Sequence, residues 1–314
     1  MTARTAFAAA ALLAAGPAFA ALDADHGPLV TPAELSAALE DGGLTVIDIR
    51  APDGAGYAGG HVEGALNTPY GAFRGPEENP GQLPEIDALT ETLQGLGLTG
   101  DSQVVVTYGG ESVTDFGAAA RVYWTLKSAG IEDLAILNGG IAAWDAAGLP
   151  LSTAGAEAEP SDFTVTWNDR WTATAETVQS VLDGDRDAVL LDARPESFWS
   201  GEEAHPAAAR PGTLPQSQYF THDNWFSSGP AIVDAEAARA LAAEQDFADA
   251  ESIISFCNTG HWAATNWFAL SELAGVEDVK LYPESVVGWS NAGFEMANVP
   301  GALKNFWNQV KDTF

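Results

Sequence analysis

The sequence predicts an α/β protein of two tandem domains, each a parallel β-sheet flanked by helices. Three observations predict it. One order of features occurs twice along the 314 residues, short apolar strands alternate with helical segments in both copies, and a stretch rich in Ala, Gly, Pro and acids divides them. Strands linked through helices are joined by crossovers, which pair them in parallel and cover both faces of the sheet.

The first copy opens at Thr31-Pro32-Ala33-Glu34, a helix start with a capping threonine, proline at the first helical position and glutamate three residues after the cap. The strand LTVIDIR follows and ends in Asp48-Ile49-Arg50. Next come the Gly-rich turn and strand GYAGGHVEGALNTPY, the buried strand QVVVTY, a helix over FGAAARVYWTLKSAG, the strand LAILNGG and the short helix IAAWDAAG. The second copy opens at TATAETVQSVL and reaches AVLLDARPESFW, with Asp192 and Arg194 matching Asp48 and Arg50. It turns through ARPGTLPQSQYF, so that Gly212 to Pro215 match Gly60 to Glu63. It continues with the strand SIISF, the loop CNTGHW, a helix over AATNWFALSELAG, the strand VKLYPES and GWSNAGFEM.

Residues 1–20 place Arg4 before an apolar Ala/Leu run and end in Ala18-Phe19-Ala20, the order of a signal peptide cleaved before Ala21. The expected organisation is a signal peptide over 1–20, a first domain over 21–153, a linker over 154–162 and a second domain over 163–314. The mature chain is expected in the periplasm or secreted. A formal charge of −31, from 44 acidic and 13 basic residues, argues against nucleic acid or an anionic membrane surface as partner. The same charge repels an anionic substrate at long range, so a site for one needs a local positive potential. One cysteine excludes an intramolecular disulfide and a C-x-x-C pair, and the five histidines lack ligand spacing, so neither a metal nor an organic cofactor is expected.

Cys257 directly follows the apolar strand Ser252 to Phe256, and its loop Asn258-Thr259-Gly260-His261-Trp262 runs into a helix at Ala263. In an open parallel sheet, sites form at the carboxyl ends of strands, and a helix start offers free N–H groups to negative charge. A thiol there is favoured as the nucleophilic thiolate. A lone cysteine after a buried strand is more often a small core residue, but the short, polar, Gly-containing loop is unlike a core continuation.

The series VIDIR, GGHVEGALN, VLNGGIAAW, then LLDAR, GTLPQS and SFCNTGHWAAT resembles the two-domain rhodanese family, the thiosulfate and mercaptopyruvate sulfurtransferases, over nearly the whole mature chain. The resemblance implies that Cys257 takes the outer sulfur of a small anionic donor as a persulfide and hands it to cyanide, a thiol or an exported sulfur-acceptor protein, by double displacement. It implies a catalytically silent first domain, with Gly109 expected in the place of Cys257. It also implies that the loop N–H groups of Asn258 to Ala263 cradle the extra sulfur. Arg194 matches an arginine that the family uses near its anionic donor, a structural ion pair with Asp192 being the competing reading. Arg210 is a second candidate for that pocket, while His261 and Trp262 are expected to line it. The neutral Asn258 and Thr259 are closer to the small neutral loops of mercaptopyruvate enzymes than to the basic loops of thiosulfate enzymes but match neither version, which leaves the donor open. A phosphatase built on this fold would need an arginine where Trp262 and Ala263 stand. A sulfur-carrier module without turnover and an anion receptor using the interdomain cleft are the remaining alternatives.

Overall fold

Thr31 starts the first helix as its side-chain chemistry requires: its hydroxyl accepts from the Glu34 backbone N–H, and the Glu34 carboxylate accepts from the Thr31 N–H. The computed structural model describes residues 27–301, so the expected signal peptide over 1–20 and the chain end lie outside the described residues. The first half contains β1 (Leu29–Val30), α1 (Pro32–Asp41), β2 (Leu44–Asp48), β3 (Leu66–Asn67), α2 (Ile86–Gly95), β4 (Gln103–Thr107), α3 (Phe116–Ala129), β5 (Leu134–Leu137) and α4 (Gly140–Ala146). The second contains α5 (Ala175–Leu182), β6 (Val189–Asp192), α6 (Glu196–Trp199), β7 (Gln218–Tyr219), α7 (Ala235–Ala243), β8 (Ile253–Phe256), α8 (Trp262–Phe268), β9 (Val279–Leu281) and α9 (Ser285–Asn291).

Among the described residues these strands make two separate sheets, ordered β1-β5-β4-β2-β3 and β7-β6-β8-β9, with every strand pair parallel. The counterpart of β1 in the second sheet is reduced to one bridge between Thr172 and Leu281. Helices α2 and α7 are additions to the pattern read from the sequence. Each sits in the crossover to a central strand and buries only a narrow stripe, Leu89 and Leu93 in α2 and Ala238 and Ala242 in α7.

Residues 154–163 carry no helix or strand and are strapped to the first sheet's domain. His61 Nε2 contacts the Ala154 carbonyl, the Ala156 N–H donates to Tyr57 Oη, and Gln94 donates to the Phe163 carbonyl. The chain therefore stays on the first domain beyond the expected linker.

Helices α3 and α8, each following the central strand of its own sheet, pack against each other across the domain boundary. Phe116 and Tyr123 of α3 meet Phe268 edge-on at 5.3 and 5.1 Å. Tyr123 Oη and Lys127 Nζ both reach Glu272. One apolar cluster thus runs continuously from Ile47 in the first sheet to Leu281 in the second. At the closest point Gly117 faces the loop after Cys257, where an added Cβ would lie 2.8 Å from the His261 carbonyl oxygen. A helical Gly→Ala change ordinarily stabilises by about 0.5–1 kcal/mol. Gly117→Ala is expected instead to destabilise by about 1–3 kcal/mol, as overpacking does, which a urea midpoint compared with wild type measures.

Candidate active site

Cys257 stands one residue past β8 and is 1 % exposed. Its N–H donates to Ser285 Oγ at 3.0 Å, and its carbonyl accepts from the Val286 N–H. Ser285 in turn donates to the Tyr282 carbonyl while holding φ +52°, a left-handed conformation unusual for a residue with a side chain. Beyond Cys257 the loop bends at Gly260, with φ +69°, where a Cβ would meet Arg121 Nη1 at 2.3 Å and the Pro283 carbonyl oxygen at 2.6 Å. Only glycine satisfies both the turn and the space. Among the described residues, the backbone N–H groups of Asn258 to Trp262 donate to no protein acceptor. Five successive free N–H groups directly follow the thiol, and such runs of unpaired N–H groups are suited to negative charge.

The register corrects one expectation. Asp192 pairs with Phe256 as Asp48 pairs with Thr107, and Val286 N–H reaches Cys257 as Ile141 N–H reaches Tyr108. Tyr108, not Gly109, therefore occupies the place of Cys257, and Gly109 matches Asn258. Tyr108 is buried with its hydroxyl accepting from the Gly139 N–H, and burial raises its pKa, so it stays neutral. The first domain carries no nucleophile at this point. Ser285 likewise matches Gly140, which has φ +63°.

Arg194 is placed differently from a donor contact. Its Nε and Nη2 clasp Asp192, Nη2 also donates to the Gly212 carbonyl, Nη1 donates to Asn258 Oδ1 at 3.1 Å, and the residue is 1 % exposed. Arg50 makes the same clasp on Asp48 and the Gly60 carbonyl in the domain without a cysteine. A feature repeated where no reaction is possible is structural, so Arg194 acts on the site only by holding Asn258. Arg210 donates to the Phe294 carbonyl and, among the described residues, forms no hydrogen bond with the Cys257 loop. Asn258 and Thr259 are buried, and Trp262 is half-buried, stacked on His222 at 5.1 Å with its indole N–H unpartnered.

Three residues that the sequence reading passed over approach the loop from the first domain. Tyr70, in the turn Tyr70–Phe73, places its hydroxyl 3.1 Å from His261 Nδ1, and Arg74 Nη1 donates to the same hydroxyl at 2.8 Å. His261 Nε2 lies 2.8 Å from the Thr114 carbonyl, which can only accept. Nε2 therefore carries the proton, and neutral Nδ1 accepts from Tyr70. Arg121, on α3, is fully buried, donates to the Gly81 and Gly260 carbonyls, and lies within electrostatic range of Cys257, as does Tyr70. A charged residue inside the apolar run AAARVYW was the available signal for Arg121.

Burial, then the nearby Arg74 guanidinium, holds the His261 pKa down at about 4. As pH falls from about 6.5, the unfolded chain takes up a proton that folded His261 refuses, so this contribution to stability is lost through the window down to about 4. His261→Gln removes that dependence. The stability advantage of wild type over this variant is expected to shrink by up to about 3 kcal/mol between pH 7 and pH 4, read from urea midpoints at both. An unchanged difference would contradict a neutral His261 held below its ordinary pKa.

The sequence matches the rhodanese-like domain family twice, over residues 31–147 and 174–292. It is 32 % identical, over 83 % of this chain and 94 % of the relative, to a Pseudomonas aeruginosa protein provisionally named 3-mercaptopyruvate sulfurtransferase. A Mycobacterium tuberculosis protein provisionally named thiosulfate sulfurtransferase SseB is 29 % identical over 84 % of this chain and 94 % of its own. The fold superposes on SseA from Escherichia coli, a 3-mercaptopyruvate sulfurtransferase, with a TM-score of 0.69 and 24 % identity, covering 82 % of this chain and 98 % of that one. It also superposes on the anaerobic ergothioneine biosynthesis enzyme of Chlorobium limicola, with a TM-score of 0.77 and 18 % identity over 87 % and 71 % of the two chains. With two matched domains on two parallel sheets, and one cysteine at the end of the second sheet's central strand, the chain belongs to the rhodanese family.

Proposed function

We propose that this protein is a sulfurtransferase that moves a sulfane sulfur from thiosulfate to cyanide or a thiol through a persulfide on Cys257. The observation that carries the reading is the run of unbonded N–H groups from Asn258 to Trp262 around the only cysteine. A structural cysteine has no use for such a cradle, whereas a persulfide anion is stabilised by it.

The Cys257 thiolate attacks the outer sulfur of thiosulfate. The S–S bond of the donor breaks, its electron pair leaves with sulfite, and a persulfide remains on the enzyme. Cyanide or a thiolate then attacks the terminal sulfur, the enzyme S–S bond breaks, and the thiolate is regenerated. Donor product leaves before the acceptor reacts, so the kinetics are ping-pong. The relative with a mercaptopyruvate name and the neutral Asn258 and Thr259 favour a second reading, 3-mercaptopyruvate as donor. There the C–S bond breaks and the carbon leaves as pyruvate enolate, which takes up a proton. Asn258, held by Arg194, shapes the cradle, and His261 and Trp262 border it. The signal-like residues 1–20 support a periplasmic or secreted setting, in which an exported protein could serve as the sulfur acceptor.

Intact-mass spectrometry after incubation with thiosulfate tests the reading. Wild type is expected to gain one sulfur, lost again to cyanide with thiocyanate released, while Cys257→Ser gains nothing. If thiosulfate fails and mercaptopyruvate succeeds, the donor is reassigned; failure of both sinks the enzyme reading. Ser285→Gly keeps the left-handed backbone, as Gly140 does in the other domain, but removes the acceptor of the Cys257 N–H. It is expected to retain the wild-type fold and to slow persulfide formation by about three- to ten-fold, the worth of one hydrogen bond, in single-turnover sulfite release.

A further inference from the structure

An anionic donor needs a cation with a free edge near the Cys257 loop, and among the described cations of the second domain only Arg194 hydrogen-bonds to that loop. Arg194 spends its Nε/Nη2 edge on Asp192, and Arg210 is tied to the Phe294 carbonyl. Ion pairs engage Arg50, Lys127, Arg186, Arg194 and Lys280. Arg74, Arg121, Arg170, Arg210 and Arg239 enter no ion pair among the described residues, and of these Arg74 and Arg121 are tied to the Cys257 loop, Arg74 through Tyr70 and His261 and Arg121 through the Gly260 carbonyl. The two guanidiniums also lie within range of each other, which costs energy unless a negative charge lies between or beside them.

The two differ in what they can reach. Arg121 is fully buried, with its Nε unpartnered, so it contributes potential and no contact to an entering molecule. Arg74 is half-buried; only Nη1 is used, on Tyr70 Oη, and the guanidinium lies 5.1 Å from the Tyr70 ring centroid. Its Nε and Nη2 donate to no protein acceptor among the described residues, which leaves open the edge that grips two oxygens of a carboxylate or sulfonate. Arg74 is also within electrostatic range of His205 and His261, and Tyr70 is within range of Cys257. It therefore stands where the Tyr70–Phe73 turn, the loop around His205 and the Cys257 loop converge.

We propose that Arg74, contributed by the first domain, binds the anionic group of the sulfur donor through its Nε/Nη2 edge, with Arg121 adding positive potential behind the Cys257 loop. This rests on the sulfurtransferase reading and assigns that site its donor-specificity residue. The ligand class is a small molecule with a sulfonate or carboxylate next to a transferable sulfur.

The test uses the full chain with thiosulfate and, separately, 3-mercaptopyruvate as donors, comparing Arg74→Ala, Arg74→Gln and Arg74→Lys with wild type and with Arg186→Ala as a surface control. Arg74→Ala and Arg74→Gln are expected to raise the donor KM by about ten-fold or more, as loss of a hydrogen-bonded charge pair does. They should change kcat little and flatten the rise of KM with salt, while Arg74→Lys recovers part of the loss. Saturating donor should still load Cys257 with sulfur in every Arg74 variant by mass. Donor KM within two-fold of wild type for both neutral variants would overturn the proposal and leave the persulfide reading intact. A normal KM for Arg74→Gln alone would also overturn it, because the residue would then matter only as a hydrogen-bond partner of Tyr70. No sulfur on wild type would fail the underlying reading instead.

Discussion

The geometry around Cys257 depends on a steric pinch at Gly260. The loop must reverse within three residues of the thiol, and it does so with a left-handed glycine held between Arg121 of the first domain and the Pro283 backbone of the second. A side chain there would have to displace backbone, so the path of the loop is fixed from both sides rather than by its own hydrogen bonds. Ser285 secures the other end by accepting the Cys257 N–H. With both ends fixed by outside contacts, the intervening N–H groups are left free for negative charge. A loop satisfied internally would have spent them.

That dependence explains why a domain without a nucleophile remains part of the site. Helix α3 supplies Phe116, Tyr123 and Lys127 to the boundary, Gly117 lets the His261 backbone approach, and Arg121 passes beneath Gly260. The α8 side of the same boundary carries the loop itself. Helices α3 and α8 occupy equivalent places in the two domains and pack face to face, which brings the first domain against the Cys257 loop.

The repeat made the fold legible in the sequence. The Thr31 cap, the β-branched strands and the paired Asp-x-Arg turns each have a local physical signature, and each folds as that signature predicts. Helices α2 and α7 carry a usable signal that the reading passed over, since each buries a pair one helical turn apart, Leu89 with Leu93 and Ala238 with Ala242. The position of Cys257 at the end of the central strand could be read directly. Its match in the first domain was misread by one residue, since the loops after Tyr108 and Cys257 differ in length and only strand register aligns them. Tyr70, Arg121 and Ser285 reach the loop across 28 or more residues of sequence, and Arg74 is tied to it only through Tyr70. Of the four, only Arg121, a charge inside an apolar run, carries a local signal.

The charge of the protein and the charge of its proposed donor are reconciled by distance. At physiological ionic strength, exposed charges are screened beyond about 8 Å, so the acidic surface mainly slows encounter and does little to a molecule already in the cleft. Inside, the nearest groups decide. The acids close to the loop are committed: Asp115 accepts from the Glu111 and Ser112 N–H groups, and Glu284 accepts from Asn79. Asp192 is closed in its clasp with Arg194 and Thr213. The neutral donors on Asp115 and Glu284 leave both charged, and against them stand Arg74 and Arg121 of the first domain and the free N–H groups of the loop. A net charge of −31 is compatible with anion binding where such groups outweigh the nearby carboxylates. Both of those guanidiniums come from the first domain, where Tyr108 stands in the place of Cys257.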